Sequence, residues 1–128
     1  MEKDDLIDVL LVEDNPDVAA SLALYLELCH FDVTVAADGE AGVRAAMADP
    51  PDAVVCDIGP PRMDGFAVAR AVAAGLAPKP LLIAVTGYGE DPMRDRGAAA
   101  GFDHYLVKPA DPRAITALLR AHPSHPPA

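Results

Sequence analysis

Residues 9–16 read Val-Leu-Leu-Val-Glu-Asp-Asn-Pro, which joins a short apolar run to two carboxylates and a helix start. Four consecutive aliphatic residues are typical of a strand that is covered on both faces. Asn15 followed by Pro16 is typical of a helix beginning, because asparagine caps free N–H groups and proline suits the first turn. The stretch therefore predicts a strand that leads directly into a helix, with Glu13 and Asp14 at the junction.

The same alternation of strand and helix recurs along the rest of the chain. Further apolar runs lie at 31–37, 53–56, 81–85 and 105–107. Four aspartates are typical helix caps and predict the starts of further helices: Asp38, Asp64, Asp91 and Asp111. Strict alternation predicts an α/β fold, a three-layer doubly wound (βα)5 sandwich around a five-stranded parallel sheet. The run at 31–37 alternates apolar and polar residues, which favours an edge strand.

One predicted helix is weaker than the others. The segment 92–100 carries Gly97 in its middle, and its apolar residues are mostly alanine. A glycine inside a helix costs about 1 kcal/mol relative to alanine. We therefore expect this helix to be marginal and to shift more easily than its neighbours.

Length and charge exclude several classes of protein. The 128 residues suit one domain, and 20 acidic against 10 basic side chains give a net charge of −10. That charge disfavours nucleic acid and anionic membranes as partners, and no apolar run approaches the ~18 residues of a membrane span. The acidic start is unlike a secretory signal. Cys29 and Cys56 lie in apolar stretches and are interpreted as buried thiols of a cytoplasmic protein.

Polar residues stand where the predicted strands end. Glu13 and Asp14 follow the first strand, Asp57 the third, Thr86 the fourth and Lys108 the fifth. Taken singly, each is more typical of a cap or a solvated side chain. Because the carboxyl ends of parallel strands form the ligand crevice of such sheets, the five together indicate one site.

Three neighbouring carboxylates need either a bound cation or a raised pKa. Oxygen donors without histidine or cysteine favour Mg²⁺ over Zn²⁺, and such Mg²⁺ usually serves phosphate chemistry. Lysine suits a phosphoryl oxygen, and an exposed carboxylate can itself be a nucleophile. The residues alone leave open which carboxylate plays which part.

Four motifs give a family resemblance over roughly residues 6–121. They are Val-Glu-Asp-Asn at 12–15, Asp-Ile-Gly-Pro-Pro-Arg-Met-Asp-Gly at 57–65, Val-Thr-Gly-Tyr-Gly at 85–89 and Leu-Val-Lys-Pro at 106–109. In this order the chain resembles a response-regulator receiver domain of the CheY-like family. The resemblance implies a flavodoxin-like sheet of order 2-1-3-4-5. The remaining residues 122–128 are rich in proline and are interpreted as a disordered tail or the start of a linker.

The resemblance also implies a role for each residue of the site. Asp57 would accept a phosphoryl group from a partner's histidine. Asp57 would also help to hold Mg²⁺, together with Asp14 directly, Glu13 through water and Gly59 through its backbone carbonyl. The Gly59-Pro60-Pro61 run departs from the usual pattern of the family, and its effect stays open.

A second group would transmit the signal. Lys108 would pair with a phosphoryl oxygen, next to a cis peptide bond to Pro109. Thr86 would move its hydroxyl onto the phosphoryl group, and Tyr105 would swing inward. This repacks the face formed by the fourth helix, the fifth strand and the fifth helix, which could also support a weak homodimer.

The implied function is a two-component receiver that slowly dephosphorylates itself rather than a multiple-turnover enzyme. Its implied partner is a sensor histidine kinase or a histidine phosphotransfer domain. Alternatives are a pseudo-receiver that only docks a partner, and a Mg²⁺-dependent aspartyl-phosphate phosphatase. The pseudo-receiver is disfavoured because all five polar residues are present. The phosphatase is disfavoured because Gly59 stands where its second aspartate would be. The sequence fits both a stand-alone regulator and the receiver of a hybrid sensor kinase.

Overall fold

Five strands alternate with five helices in the computed structural model, which describes residues 6–58, 65–87 and 91–122. The elements are β1 (Ile7–Val12), α1 (Pro16–Leu28), β2 (Phe31–Ala36), α2 (Gly39–Ala48), β3 (Ala53–Ile58), α3 (Gly65–Gly75), β4 (Leu81–Thr86), α4 (Asp91–Ala100), β5 (His104–Val107) and α5 (Pro112–Arg120). They follow the predicted alternation, with ends that differ by one or two residues.

The strands form one parallel sheet of order β2-β1-β3-β4-β5. The predicted doubly wound, flavodoxin-like arrangement is therefore confirmed, and β2 is an edge strand as its alternating sequence predicts. Since β1 and β3 are neighbours in the middle of the sheet, the residues that follow them meet at its carboxyl edge. The reversal of strand order also falls there.

Hydrophobic side chains bury both faces of the sheet. Leu10 and Leu82 pack with residues of α2, α3 and α4 on one face. Leu11 and Ile83 pack with residues of α1 and α5 on the other. Alternate residues of each central strand thus enter opposite layers, which explains why their sequences are continuously apolar.

Side-chain caps fix the start of three helices. Asn15 Oδ1 accepts from the N–H groups of Asp17 and Val18, at 3.0 and 3.2 Å. Asp38 Oδ1 accepts from the N–H of Ala41 at 2.7 Å. The carboxylate of Asp111 plays the same part at the start of α5. These caps are confirmed as predicted.

Two other helix starts need separate comment. Asp91 is the first residue of α4, whereas the sequence placed it just before the helix. The predicted cap at Asp64 lies outside the described residues, as do Gly59, the two prolines after it and the last six residues of the tail.

The two cysteines differ in burial. Cys56 is fully buried in β3. Cys29 is only partly buried, so the prediction of two buried thiols was wrong for this residue. It caps the carboxyl end of α1, where its side chain packs against the edge of the layer of α1 and α5. In the described part of the chain, no helix is both long and apolar enough to cross a membrane.

Candidate functional site at the carboxyl edge of the sheet

Asp57 and Glu13 are buried carboxylates at the carboxyl edge of the sheet. Asp57 is 7% exposed and lies one residue before the end of β3. Glu13 is 5% exposed and directly follows β1. Its N–H donates to the carbonyl of Ala36 at 3.0 Å, which fixes this turn against β2. Asp14, the next residue, is exposed.

Lys108 provides the positive charge of the site. Its Nζ lies 2.6 Å from Oδ1 of Asp57, and its side chain remains 42% exposed. The backbone N–H of Lys108 donates to the carbonyl of Thr86 at 2.7 Å. This bond extends the pairing of β4 and β5 by one residue and brings the side chain over Asp57. The Lys108–Pro109 peptide bond is cis.

The charges at this edge are unevenly compensated. Burial, followed by the charge of Asp57, raises the pKa of Glu13 to about 7. The carboxylate of Asp14 acts in the same direction, whereas Lys108 opposes the rise. One lysine therefore does not neutralise the three carboxylates, and the site has an excess of negative charge at neutral pH.

The donor set suits Mg²⁺ rather than a transition metal. Among residues 6–58, 65–87 and 91–122, no three His, Cys, Asp or Glu side chains are grouped as a ready metal site. Mg²⁺ commonly takes only one or two protein carboxylates and completes its shell with water and phosphate oxygens. Asp57 and Asp14 can supply those carboxylates. Burial and then the charge of Asp57 raise the pKa of Glu13, and a bound cation would relieve the second of these causes.

Thr86 and Tyr105 lie on a different side of the sheet from Asp57. Asp57 alternates with Val55, whose side chain packs in the layer of α1 and α5. Thr86 alternates with Ala84, which packs in the layer of α3 and α4, and the side chain of Tyr105 packs against that layer too. The structure thus brings Glu13, Asp57 and Lys108 together, and places the fully buried Thr86 and the partly buried Tyr105 across the sheet.

An open groove beside Asp57 was not predicted from the sequence. It has a volume of about 960 Å³, runs between α1 and the start of α5, and reaches Asp57 and Lys108. Its walls are mainly apolar and include Leu22, Tyr25 and Ile115. Val18, which also lines it, is 43% exposed. Val18, an aliphatic residue in the first turn of α1, is the sequence feature from which an apolar surface next to the site could have been predicted.

Residues 9–120 match the sequence model of a protein family that is described as "response regulator receiver domain". The transcriptional regulatory protein PrrA of Mycobacterium tuberculosis is 42% identical to this chain over 101 residues. The match covers 79% of this chain and 43% of PrrA, so the chain spans less than half the length of that relative.

The chain is also similar to solved structures of receiver domains and of a CheY protein. The receiver domain of the sensor histidine kinase PA1611 from Pseudomonas aeruginosa, with a magnesium ion in its active-site cleft, is 30% identical with a TM-score of 0.81. The match covers 91% of this chain and 97% of that domain. The chemotaxis protein CheY4 of Vibrio cholerae, 23% identical, matches in fold with a TM-score of 0.82, over 91% of this chain and 98% of CheY4.

Proposed function

This chain belongs to the family of response regulator receiver domains, and we propose that it accepts a phosphoryl group on Asp57 from a phosphohistidine of a partner protein. The observation that carries the proposal is the pairing of a buried aspartate with a half-exposed lysine. Lys108 Nζ lies 2.6 Å from Asp57 Oδ1, at the edge of the sheet where the groove between α1 and α5 opens.

The chemistry requires little of the protein beyond position and charge. A carboxylate oxygen of Asp57 attacks the phosphorus, the P–O bond forms, and the P–N bond to the partner's imidazole breaks. The imidazole nitrogen leaves with the electron pair of that bond. Lys108 already faces the attacking carboxylate and can follow one phosphoryl oxygen as negative charge moves outward. Attack of water on phosphorus later returns the carboxylate and releases inorganic phosphate.

Mg²⁺ would be held by Asp57, Asp14 and the carbonyl of Gly59, with Glu13 acting through water, and would supply positive charge to the phosphoryl oxygens. Within the chain, the buried Glu13 keeps its carboxylate beside Asp57 through its backbone bond to β2. Asp14 is exposed and therefore accessible to an ion that arrives from solvent.

The groove provides the route for the partner. Its apolar walls between α1 and α5 suit a protein surface, for which we propose a helix of a sensor histidine kinase or of a phosphotransfer domain. Thr86 and Tyr105 then move in response to the new charge, and the face of α4, β5 and α5, at the β5 edge of the sheet, repacks. This is a switch in which a local charge change biases a two-state element.

Incubation with acetyl phosphate and Mg²⁺, followed by mass spectrometry of the intact protein, tests the proposal. We expect one added phosphoryl group on the wild-type protein and none on Asp57→Asn. Asp32→Asn is the matched control, because Asp32 lies on β2 near the opposite end of the sheet and should be phosphorylated like the wild type.

Two results would contradict the proposal. No phosphoryl uptake by the wild-type protein would support a pseudo-receiver that only docks a partner. Steady turnover of a small phosphoester, with release of phosphate at every cycle, would support a phosphatase.

A further inference from the structure

Gly97 forms a notch in α4 that the ring of Tyr105 fills. A Cβ atom built on Gly97 would lie 2.8 Å from Cδ2 and 2.9 Å from Cε2 of that ring. Real side chains do not approach so closely, so an alanine at this position requires the ring to move. The glycine is buried within the helix, and the ring covers it.

Arg94 lies over the same ring. Its guanidinium carbon is 5.5 Å from the ring centroid of Tyr105, within the range of a cation–π interaction. Arg94 and Gly97 are three residues apart and therefore share one face of α4. The two residues contact the ring together, and we call this pair the α4 seat.

The α4 seat is one of several contacts that join α4 to the core, together with Met93 and Ala100. Within the helix, only Gly97 and Ala100 are buried among the residues with described side chains. Arg96 lies over the ring of Phe66 in α3, with 4.5 Å from its guanidinium carbon to the ring centroid. A change at the α4 seat therefore alters the contact between α4 and β5 and leaves the contacts of Ala100 and Arg96 in place.

Tyr105 also lies on the same side of the sheet as Thr86. In the pairing of β4 and β5, Ala84 is opposite Tyr105 and Thr86 is opposite Val107. Side chains two residues apart on a strand point to the same face. A movement of Thr86 thus takes place in the layer that contains Tyr105 and α4.

We propose that the α4 seat holds the ring of Tyr105 in its partly buried position against the core, and that Gly97, by leaving space for the ring, sets how readily the domain reaches its phosphorylated conformation. The inference rests on the proposed function, in which Tyr105 takes part in the repacking that follows phosphorylation. It adds the residue of α4 that makes room for the ring, and it ties the position of the ring to the position of the helix.

A double-mutant cycle in urea tests the packing, independently of phosphorylation. Alanine is the better helix former, so Gly97→Ala should raise the urea midpoint wherever the ring is absent. We expect Gly97→Ala to lower the midpoint in the wild-type background and to raise it in the Tyr105→Ala background. If Gly97→Ala changed the urea midpoint in the same direction in both backgrounds, the proposed packing of Tyr105 against Gly97 would be wrong.

Titration with beryllofluoride and Mg²⁺, a mimic of the phosphoryl group, tests the regulation. We expect Gly97→Ala to weaken binding by about fivefold or more, because the added methyl group displaces the ring from the space beside α4. Ala99→Gly is the matched control, since Ala99 is an exposed residue of the same helix. It should lower stability and leave the affinity unchanged.

The outcomes separate this inference from the proposed function. Unchanged or tighter binding by Gly97→Ala, with normal binding by the wild type, overturns the regulatory role of the α4 seat alone. A wild-type protein that binds no beryllofluoride overturns the proposed function and the regulatory role with it. In either case, the direction in which Gly97→Ala changes the urea midpoint, with and without the ring of Tyr105, tests the packing separately.

Discussion

At the scale of single residues, the site depends on how deeply each carboxylate is buried. Glu13 and Asp57 are almost inaccessible, whereas Asp14 is exposed. Lys108 contacts Asp57, so its positive charge interacts chiefly with that carboxylate. Burial and then the charge of Asp57 therefore keep the pKa of Glu13 raised, to about 7, despite the opposing charge of Lys108.

The ionisation of Glu13 should make the metal-free protein less stable as pH rises. The folded protein holds this proton until the pKa of about 7, whereas an unfolded glutamate releases it near 4.5. Between these values the folded state binds more protons, so the free energy of unfolding falls with rising pH. We expect a loss of about 1–3 kcal/mol from this group between pH 4.5 and 8.

Urea unfolding in EDTA across this pH range measures the effect. Glu13→Gln cannot ionise, and its stability should therefore depend less on pH than that of the wild type. An equal slope for the two proteins would contradict the assignment.

At the scale of elements, the helix starts are determined locally. Asn15, Asp38 and Asp111 each accept backbone N–H groups of the first turn that follows them. The contact needs only a short polar side chain at the right position, which is why the sequence predicts it. α4 is different, because its packing depends on a ring supplied by β5.

Removing one cap should have a measurable cost. Asp38→Ala deletes the 2.7 Å bond to the N–H of Ala41, and we expect a loss of about 1 kcal/mol in the free energy of unfolding. Asp38→Asn keeps an acceptor and should retain most of the stability. Chemical denaturation of the three proteins gives the comparison, and equal losses for alanine and asparagine would show that charge, rather than the cap, is responsible.

At the scale of the whole molecule, acidic residues collect at both ends of the sheet. Near the end opposite the site, Asp8 and Asp32 lie directly across from each other on β1 and β2. Burial, followed by a hydrogen bond that the protonated Asp8 donates to Asp32 and by the charges of Asp32 and Asp52, raises the pKa of Asp8. Raised carboxylate pKa values mean that ionisation opposes folding, so these charges destabilise the protein at neutral pH.

Neutralising one partner should therefore stabilise the protein. We expect Asp32→Asn to increase the free energy of unfolding by about 0.5 kcal/mol at pH 7 and low salt. The gain should shrink in high salt, which screens the charges, and should vanish in acid, where both carboxylates are protonated. Thermal unfolding at two salt concentrations would measure this, and a gain that is independent of salt would contradict the electrostatic cause.

The sequence by itself determined the alternation of elements, the helix caps and the five polar residues at the strand ends. These features depend on neighbours in the chain: apolar runs, a capping side chain and the proline after it. Once the sheet is parallel, residues that follow its strands must lie at one edge, so even the location of Glu13, Asp57 and Lys108 could be predicted.

Tertiary structure alone decided the rest. The exposure of Cys29, the groove beside Asp57 and the fit of Tyr105 against Gly97 all depend on residues brought together from distant elements. Gly97 shows the difference most directly. In the sequence it is a weakness in a helix, whereas in the folded protein its missing side chain is the space that an aromatic ring from the next strand occupies.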